Sequence, residues 1–165
     1  MLAPHTYPAQ DVARVAALHR LKILDTPPAV EFDQIAWSAK ILFEATAAFV
    51  SFVDADRQWY KARAGFDVIE TDRRASFCSH CIAYRNPLWI EDTREDPRVF
   101  DNPFVVGQPM IRFYAGAPIR DADGWLLGTV CVVDLEPRAH DPRLERGLIA
   151  LADMTSALLD RAEAA

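Results

Sequence analysis

The stretch from Arg112 to Arg138, RFYAGAPIRDADGWLLGTVCVVDLEPR, constrains the fold more than any other part of the chain. Arg112 to Ile119 and Trp125 to Val133 are rich in β-branched and aromatic residues. Asp121-Ala122-Asp123-Gly124 between them is a turn cluster, so the stretch reads as a β-hairpin. In its second strand Val130, Cys131, Val132 and Val133 are apolar without a break, so neither face alternates to polar and both must be covered. Helices would cover one face. Loops enclosing a cavity would cover the other, with Gly116 and Gly128 allowing a backbone or a ligand to approach closely.

The rest of the chain supplies the cover. Asp11 to Leu24 reads as a short helix, stopped by Asp25-Thr26-Pro27-Pro28. A second helix places Phe32, Ile35, Ala36, Ala39, Leu42 and Phe43 on one face. Ala48 to Val53 and Gln58 to Arg63 form a first hairpin around Asp54-Ala55-Asp56. Gly65 to Arg74 is polar and irregular, Ser79 to Tyr84 a short helix, and Leu88 to Glu91 a short strand. Asp92 to Pro109, with three X-Pro pairs, is a long loop expected to roof the cavity. Asp141 caps and Pro142 opens a last helix that runs to about Ala162 and carries apolar residues on two adjoining faces. One of these covers the sheet; the other is either a surface for the same helix of a second subunit or the margin of a single wide core-facing stripe, two readings of about equal weight.

The expected fold class is therefore α+β, an α/β sandwich-like arrangement with a central antiparallel sheet. Residues 1–10 are expected to be a flexible segment and residues 11–165 one domain, since 165 residues suffice to bury roughly 70% of the unfolded chain's surface. A net charge of −6 without a strong basic cluster argues against nucleic acid as a partner. Met1 to Gln10 has no apolar signal core, and no stretch approaches the roughly 18 apolar residues of a membrane helix, so a cytoplasmic protein is expected. Three cysteines fit a reducing compartment rather than a disulfide scaffold.

In order and in residues the chain resembles the GAF family of small-molecule sensor domains, of the type found ahead of bacterial sensor histidine kinases and diguanylate cyclases. The resemblance covers nearly the whole chain. It is carried by Leu21-Lys22-Ile23-Leu24-Asp25-Thr26-Pro27-Pro28, Phe32-Asp33, Val50-Ser51-Phe52-Val53-Asp54, Asp56-Arg57-Gln58-Trp59, Arg74-Ala75-Ser76-Phe77-Cys78-Ser79-His80, Asp96-Pro97-Arg98, Asp101-Asn102-Pro103 and the Arg112–Arg138 hairpin. It implies five or six antiparallel strands, helices from both termini on one face, and a ligand pocket roofed by loops and short helices on the other. It also implies a sensing role in signal transduction, with a homodimer through the terminal helices and a kinase or cyclase as possible signalling partner. No kinase, cyclase, phosphodiesterase or DNA-binding segment follows the last helix, so sensing without its own output, or as a piece of a longer protein, is expected. The Asn-Lys-Phe-Asp-Glu signature of cyclic-nucleotide-binding relatives has no counterpart, which sets cyclic nucleotides aside as the first ligand.

Candidate site residues are Trp59, Phe77, Cys78, His80, Cys81, Phe100, Phe113, Tyr114 and Cys131, aromatics and small groups suited to a pocket with few polar contacts. Strand alternation sends Phe113 and Tyr114 to opposite faces, so at most one of them can face the pocket. Cys78 and Cys81 would share a helical face, so the main alternative is a thiol-dependent reductase of a small oxidised metabolite such as free methionine sulfoxide, using these two thiols. A further alternative is a dimerisation module without a ligand. No metal site is expected, because His80 points away from the cysteines' face and a structural zinc needs four ligands. Bilin attachment is disfavoured by the serine between Cys78 and His80. Arg74, Ser76, Asp92, Asp96, Arg98 and Arg112 are candidates for orienting a ligand, although Asp92, Asp96, Arg98 and Arg112 are better read as loop staples.

Overall fold

The unbroken apolar runs are accounted for by a sheet covered on both sides. The structure, a computed structural model, describes residues 8–164. Its strands are β1 (Ala47–Val53), β2 (Arg57–Ala64), β3 (Glu70–Asp72), β4 (Leu88–Ile90), β5 (Phe113–Arg120) and β6 (Leu126–Asp134). They form one antiparallel sheet in the order β3-β2-β1-β6-β5-β4. Helices α1 (Pro8–Arg20), α2 (Val30–Phe43) and α5 (Pro142–Ala164) pack on one face. The short helices α3 (Phe77–Tyr84) and α4 (Pro103–Val106) lie on the other.

Period-two alternation divides the core into two parts. Ala48, Val50 and Phe52 of β1 point to the helices together with Val130 and Val132 of β6 and Phe113, Ala115, Ala117 and Ile119 of β5. Ala47, Phe49 and Val53 point the other way with Tyr114, Cys131 and Val133. A register shift between Val50 and Ser51 changes the phase of β2, so Trp59, paired with Phe52, and Ala62, paired with Val50, both reach the helix side.

The helices form where the periodicity places them, with shifted ends. Residues 8–10, expected to be flexible, are the first turn of α1, and residues 1–7 lie outside those described. Helix α1 stops at Arg20, four residues before the predicted end. In α2, Phe32, Ile35, Ala36, Ala39 and Phe43 are buried as their spacing requires, but Leu42 is exposed at the margin of the stripe. The Asp141 carboxylate accepts hydrogen bonds from the Arg143 and Leu144 amides (2.9 and 3.4 Å), capping α5 ahead of Pro142. Leu148, Ala152, Thr155 and Leu159 form the buried face of α5.

Two closely approaching backbones fix β1 against β6. A Cβ at Gly128 would sit 1.9 Å from the Ser51 carbonyl oxygen and 2.8 Å from Phe52 Cα, so a side chain there would force the two central strands apart. Gly128→Ala is expected to destabilise the domain by at least about 2 kcal/mol in denaturant unfolding. An unchanged midpoint and slope would show that the strands separate at no cost.

Candidate functional site

The face opposite the terminal helices holds a cavity of about 230 Å³. Its floor comes from the sheet: Phe49, Gln58, Tyr60, Tyr114, Cys131 and Val133. Phe66, Asp67, Val68 and Thr71 form one wall, Ala75 to Cys78 a second, and Phe104, Pro109 and Ile111 a third. Phe49 meets Tyr60 with ring centroids 4.8 Å apart, and Phe77 stacks on Tyr114 at 5.4 Å. Among the described residues Asp67, itself exposed, is the charged residue of the lining, and no lysine, arginine or histidine contributes to it.

Cys78, in the first turn of α3, marks the polar end of the cavity. Ser76 caps the helix by accepting from the Ser79 amide (3.1 Å), and its hydroxyl also donates to Gln58 Oε1. Gln58 in turn donates through Nε2 to Cys78 Sγ (3.2 Å). Ser51 (3.4 Å), Tyr114 (3.3 Å) and Thr129 (2.9 Å) donate their hydroxyls to the same sulfur, and the Cys131 thiol reaches it at 3.8 Å. Gly116 makes this possible, because a Cβ there would fall 2.2 Å from the Tyr114 hydroxyl, and without one the phenol lies along the strand and reaches the sulfur.

Burial alone would raise the Cys78 pKa, but the thiol and hydroxyl donors, Cys131 first, outweigh it and bring the thiol below its ordinary value. The hydrogen bond to Cys78 together with burial pushes Cys131 well above its own, so of the two thiols Cys78 is the one whose surroundings favour the deprotonated form. Cys81 stands apart. Its Sγ is directed at the carbonyls of Asn86 (3.4 Å) and Gly116 (3.6 Å), and burial raises its pKa further.

Of the residues singled out in the sequence, Ser76, Phe77, Cys78, Tyr114 and Cys131 line the cavity together. Trp59 and Phe113 do not. Both belong to the helix-side core, Trp59 through its pairing with Phe52 and Phe113 by packing between Phe43 and Trp89 at 6.4 and 5.0 Å. Phe100 is half exposed and Cys81 is buried, and neither borders the cavity. His80 is buried near the Asp96–Arg98 pair and likewise stays out of the lining.

Sequence reading missed Phe49, Gln58, Tyr60 and Phe104, and above all the wall from Phe66 to Thr71, where an irregular stretch was expected. Phe66 and Val68, two apolar residues two apart in a polar stretch, were the available signal. The loop carboxylates act as staples: Asp92 holds Arg94 and Asp96 holds Arg98, each at 2.6 Å, while Asp72 holds Arg74 at 3.1 Å. Arg112 donates to the Val105 and Ile111 carbonyls. Among the described residues no group of three His, Cys, Asp or Glu side chains is arranged to hold a metal ion, and no helix is long and apolar enough to cross a membrane.

Burial, and after it the Arg98 charge, lower the His80 pKa to about 4, so the imidazole is neutral at neutral pH. Between its ordinary value of 6.5 and about 4 the unfolded chain binds the proton and the folded chain does not. The stability this neutrality supplies is therefore intact above 6.5 and lost as pH falls toward 4. His80→Gln should flatten that part of the stability profile in denaturant titrations, and a variant with the full wild-type slope would place the titration elsewhere.

A single six-stranded antiparallel sheet with terminal helices on one side, and short helices and loops around an apolar cavity on the other, defines an α+β domain class. A family model for the GAF domain matches residues 9–159, and the chain belongs to that family. It is 38% identical over 160 residues to the cyclic di-GMP phosphodiesterase PA2567 of Pseudomonas aeruginosa, an alignment covering 97% of this chain and 27% of that protein. The chain thus spans about a quarter of that relative's length. Among solved structures, the GAF domain of a phosphoenolpyruvate-protein phosphotransferase from Coxiella burnetii superimposes with a TM-score of 0.67 at 15% identity, covering 96% of this chain and 98% of the other. The type II free methionine-R-sulfoxide reductase of Thermoplasma acidophilum does so with a TM-score of 0.61 at 16% identity, covering 78% and 92%. At these identities both share the fold alone.

Proposed function

We propose that this GAF domain senses a small, uncharged, largely aromatic molecule in a cytoplasmic bacterial signalling protein and passes the bound state to its terminal helices. The observation that carries the reading is the wall shared by cavity and helix. Phe66 to Ser76 borders the cavity, and within it Arg73 is 4% exposed and grips Asp11 of α1 with both terminal nitrogens, at 2.7 and 2.9 Å. Asp11 also accepts from Arg14 Nε at 2.9 Å, so two buried guanidinium groups converge on one carboxylate. A ligand that repositions the wall must carry α1 with it or break this cluster, and that is the differential contact a signal requires. The loop from Asp92 to Pro109 joins the same frame, because Asn102 Nδ2 donates to the Ala75 carbonyl at 3.0 Å.

The lining supports a particular ligand class. A cavity of about 230 Å³ lies below the ~300–1,000 Å³ of drug-sized sites, and among the described residues its lining lacks the cationic groups a phosphate would need. Uncharged one- or two-ring compounds are therefore expected to raise thermal stability, by about 2.7 kcal/mol at a hundredfold excess over Kd, while cyclic di-GMP is not. With such a compound bound, hydrogen exchange should slow in residues 66–76 and in α1 together. Slowing confined to residues 66–76 would sink the coupling.

Output through a second subunit, with a kinase or cyclase acting downstream, is supported by the outer faces of α2 and α5. Trp37, Ile41 and Met154 are 50%, 70% and 56% exposed along a groove that Leu151 and Leu158 help to line. Glu31 and Arg161 border the same groove, offering opposite charges to a second copy. Ile41→Glu should convert a dimer to a monomer in analytical ultracentrifugation while leaving the cavity's ligand affinity in place, and an unshifted sedimentation coefficient would locate the interface elsewhere.

A further inference from the structure

Ligand recognition by an apolar cavity has no use for a buried thiol held by four hydrogen-bond donors, yet Cys78 is so held. Its sulfur and that of Cys131 are in van der Waals contact at 3.8 Å, at the boundary of the cavity that both residues line. Cys78 sits in the first turn of α3, where the helix end favours a negative sulfur, and Cys131 projects from the central strand β6. We infer that Cys78 and Cys131 form a peroxide-reactive dithiol that takes organic hydroperoxides entering through the cavity and closes to an intramolecular disulfide.

The chemistry balances with the peroxide as oxidant. The Cys78 thiolate attacks the terminal peroxide oxygen, and the O–O bond breaks. The departing alkoxide takes up the proton that the thiol gave up, leaving an alcohol and a Cys78 sulfenic acid. The Cys131 sulfur then attacks the Cys78 sulfur. Its proton leaves with the sulfenic hydroxyl as water, so that two thiols and one hydroperoxide become one disulfide, one alcohol and one water. The Ser51, Gln58, Tyr114 and Thr129 donors that support the thiolate surround the position where negative charge must be held before the attack. The lowered pKa of Cys78 and the raised pKa of Cys131 match the attacking and resolving roles respectively. Cys81 is excluded by geometry, since its sulfur is directed at the Asn86 and Gly116 carbonyls and does not border the cavity. The aromatic lining selects the oxidant class, because an alkyl or aryl hydroperoxide gains burial there that hydrogen peroxide does not.

The inference rests on the sulfur geometry and not on the identity of any sensed ligand. Its test is intact-mass and peptide analysis of the full chain after cumene hydroperoxide, with hydrogen peroxide in parallel and remaining thiols blocked by alkylation. The expected product lacks two hydrogen atoms and carries a Cys78–Cys131 linked peptide, formed at least about tenfold faster with cumene hydroperoxide. Cys131→Ser should stop at a Cys78 sulfenic acid trapped by dimedone, and Cys81→Ser should behave as the parent chain. Circular dichroism on each variant establishes that it is folded. A disulfide involving Cys81, a parent chain left unmodified while glutathione in the same tube is oxidised, or equal rates with the two peroxides would each overturn the assignment.

Discussion

The structure depends on burying both faces of the two central strands. β1 is buried at every position and β6 at all but its last, so each residue there must pack into one of two cores of different character. On one side the requirement is met by long helices with aliphatic stripes. On the other no long helix is present among the described residues, and short helices and stapled loops leave space between themselves and the sheet. The cavity is thus a product of uneven cover. Large side chains seal the helix side, whereas the opposite side is roofed by segments whose own hydrogen bonds, Asp96 to Arg98 and Asn102 to Phe104 among them, hold them clear of the floor.

Much of this was legible in the sequence because strand and helix periods are local properties. The hairpin from Arg112 to Val133, the apolar face of α2 and the Asp141-Pro142 start of α5 each follow from residue types at fixed spacing, and the family resemblance arranged them correctly. What escaped was set by pairing between distant segments. Trp59 reads as a pocket aromatic until the register shift near Ser51 is known, for that shift decides which face of the sheet it meets. The wall from Phe66 to Thr71 is irregular up to Ile69, as its sequence suggests, and is held in place where Glu70 to Asp72 find β2 as a partner, which nothing within the segment announces. The cysteines show the same limit. Spacing along a helix favoured Cys78 with Cys81, but the fold brings Cys78 to a residue 53 positions away.

The polar interior is economical and each part of it has a geometric task. Gln58 links the cap of α3 to the Cys78 sulfur, so the start of that helix and the edge of the cavity cannot move independently. Gly116 lends its missing side chain to Tyr114, whose hydroxyl would otherwise fall short of the same sulfur. Buried hydrogen bonds of this kind are expensive to leave incomplete, which makes the cluster an all-or-none arrangement rather than one that yields gradually.

The Asp11–Arg73 fork also bears on where the folded unit begins. Judged by the sheet alone, α1 looks like a dispensable extension. Yet a shortened chain starting after Arg20 would leave Arg73, with Asp54 and Ala55 carbonyls as its remaining partners, as a buried cation without a carboxylate beside it. The N-terminal helix is thus a counter-ion as much as a connector, and a fusion that preserves the sheet but replaces the residues before it must supply that negative charge from elsewhere.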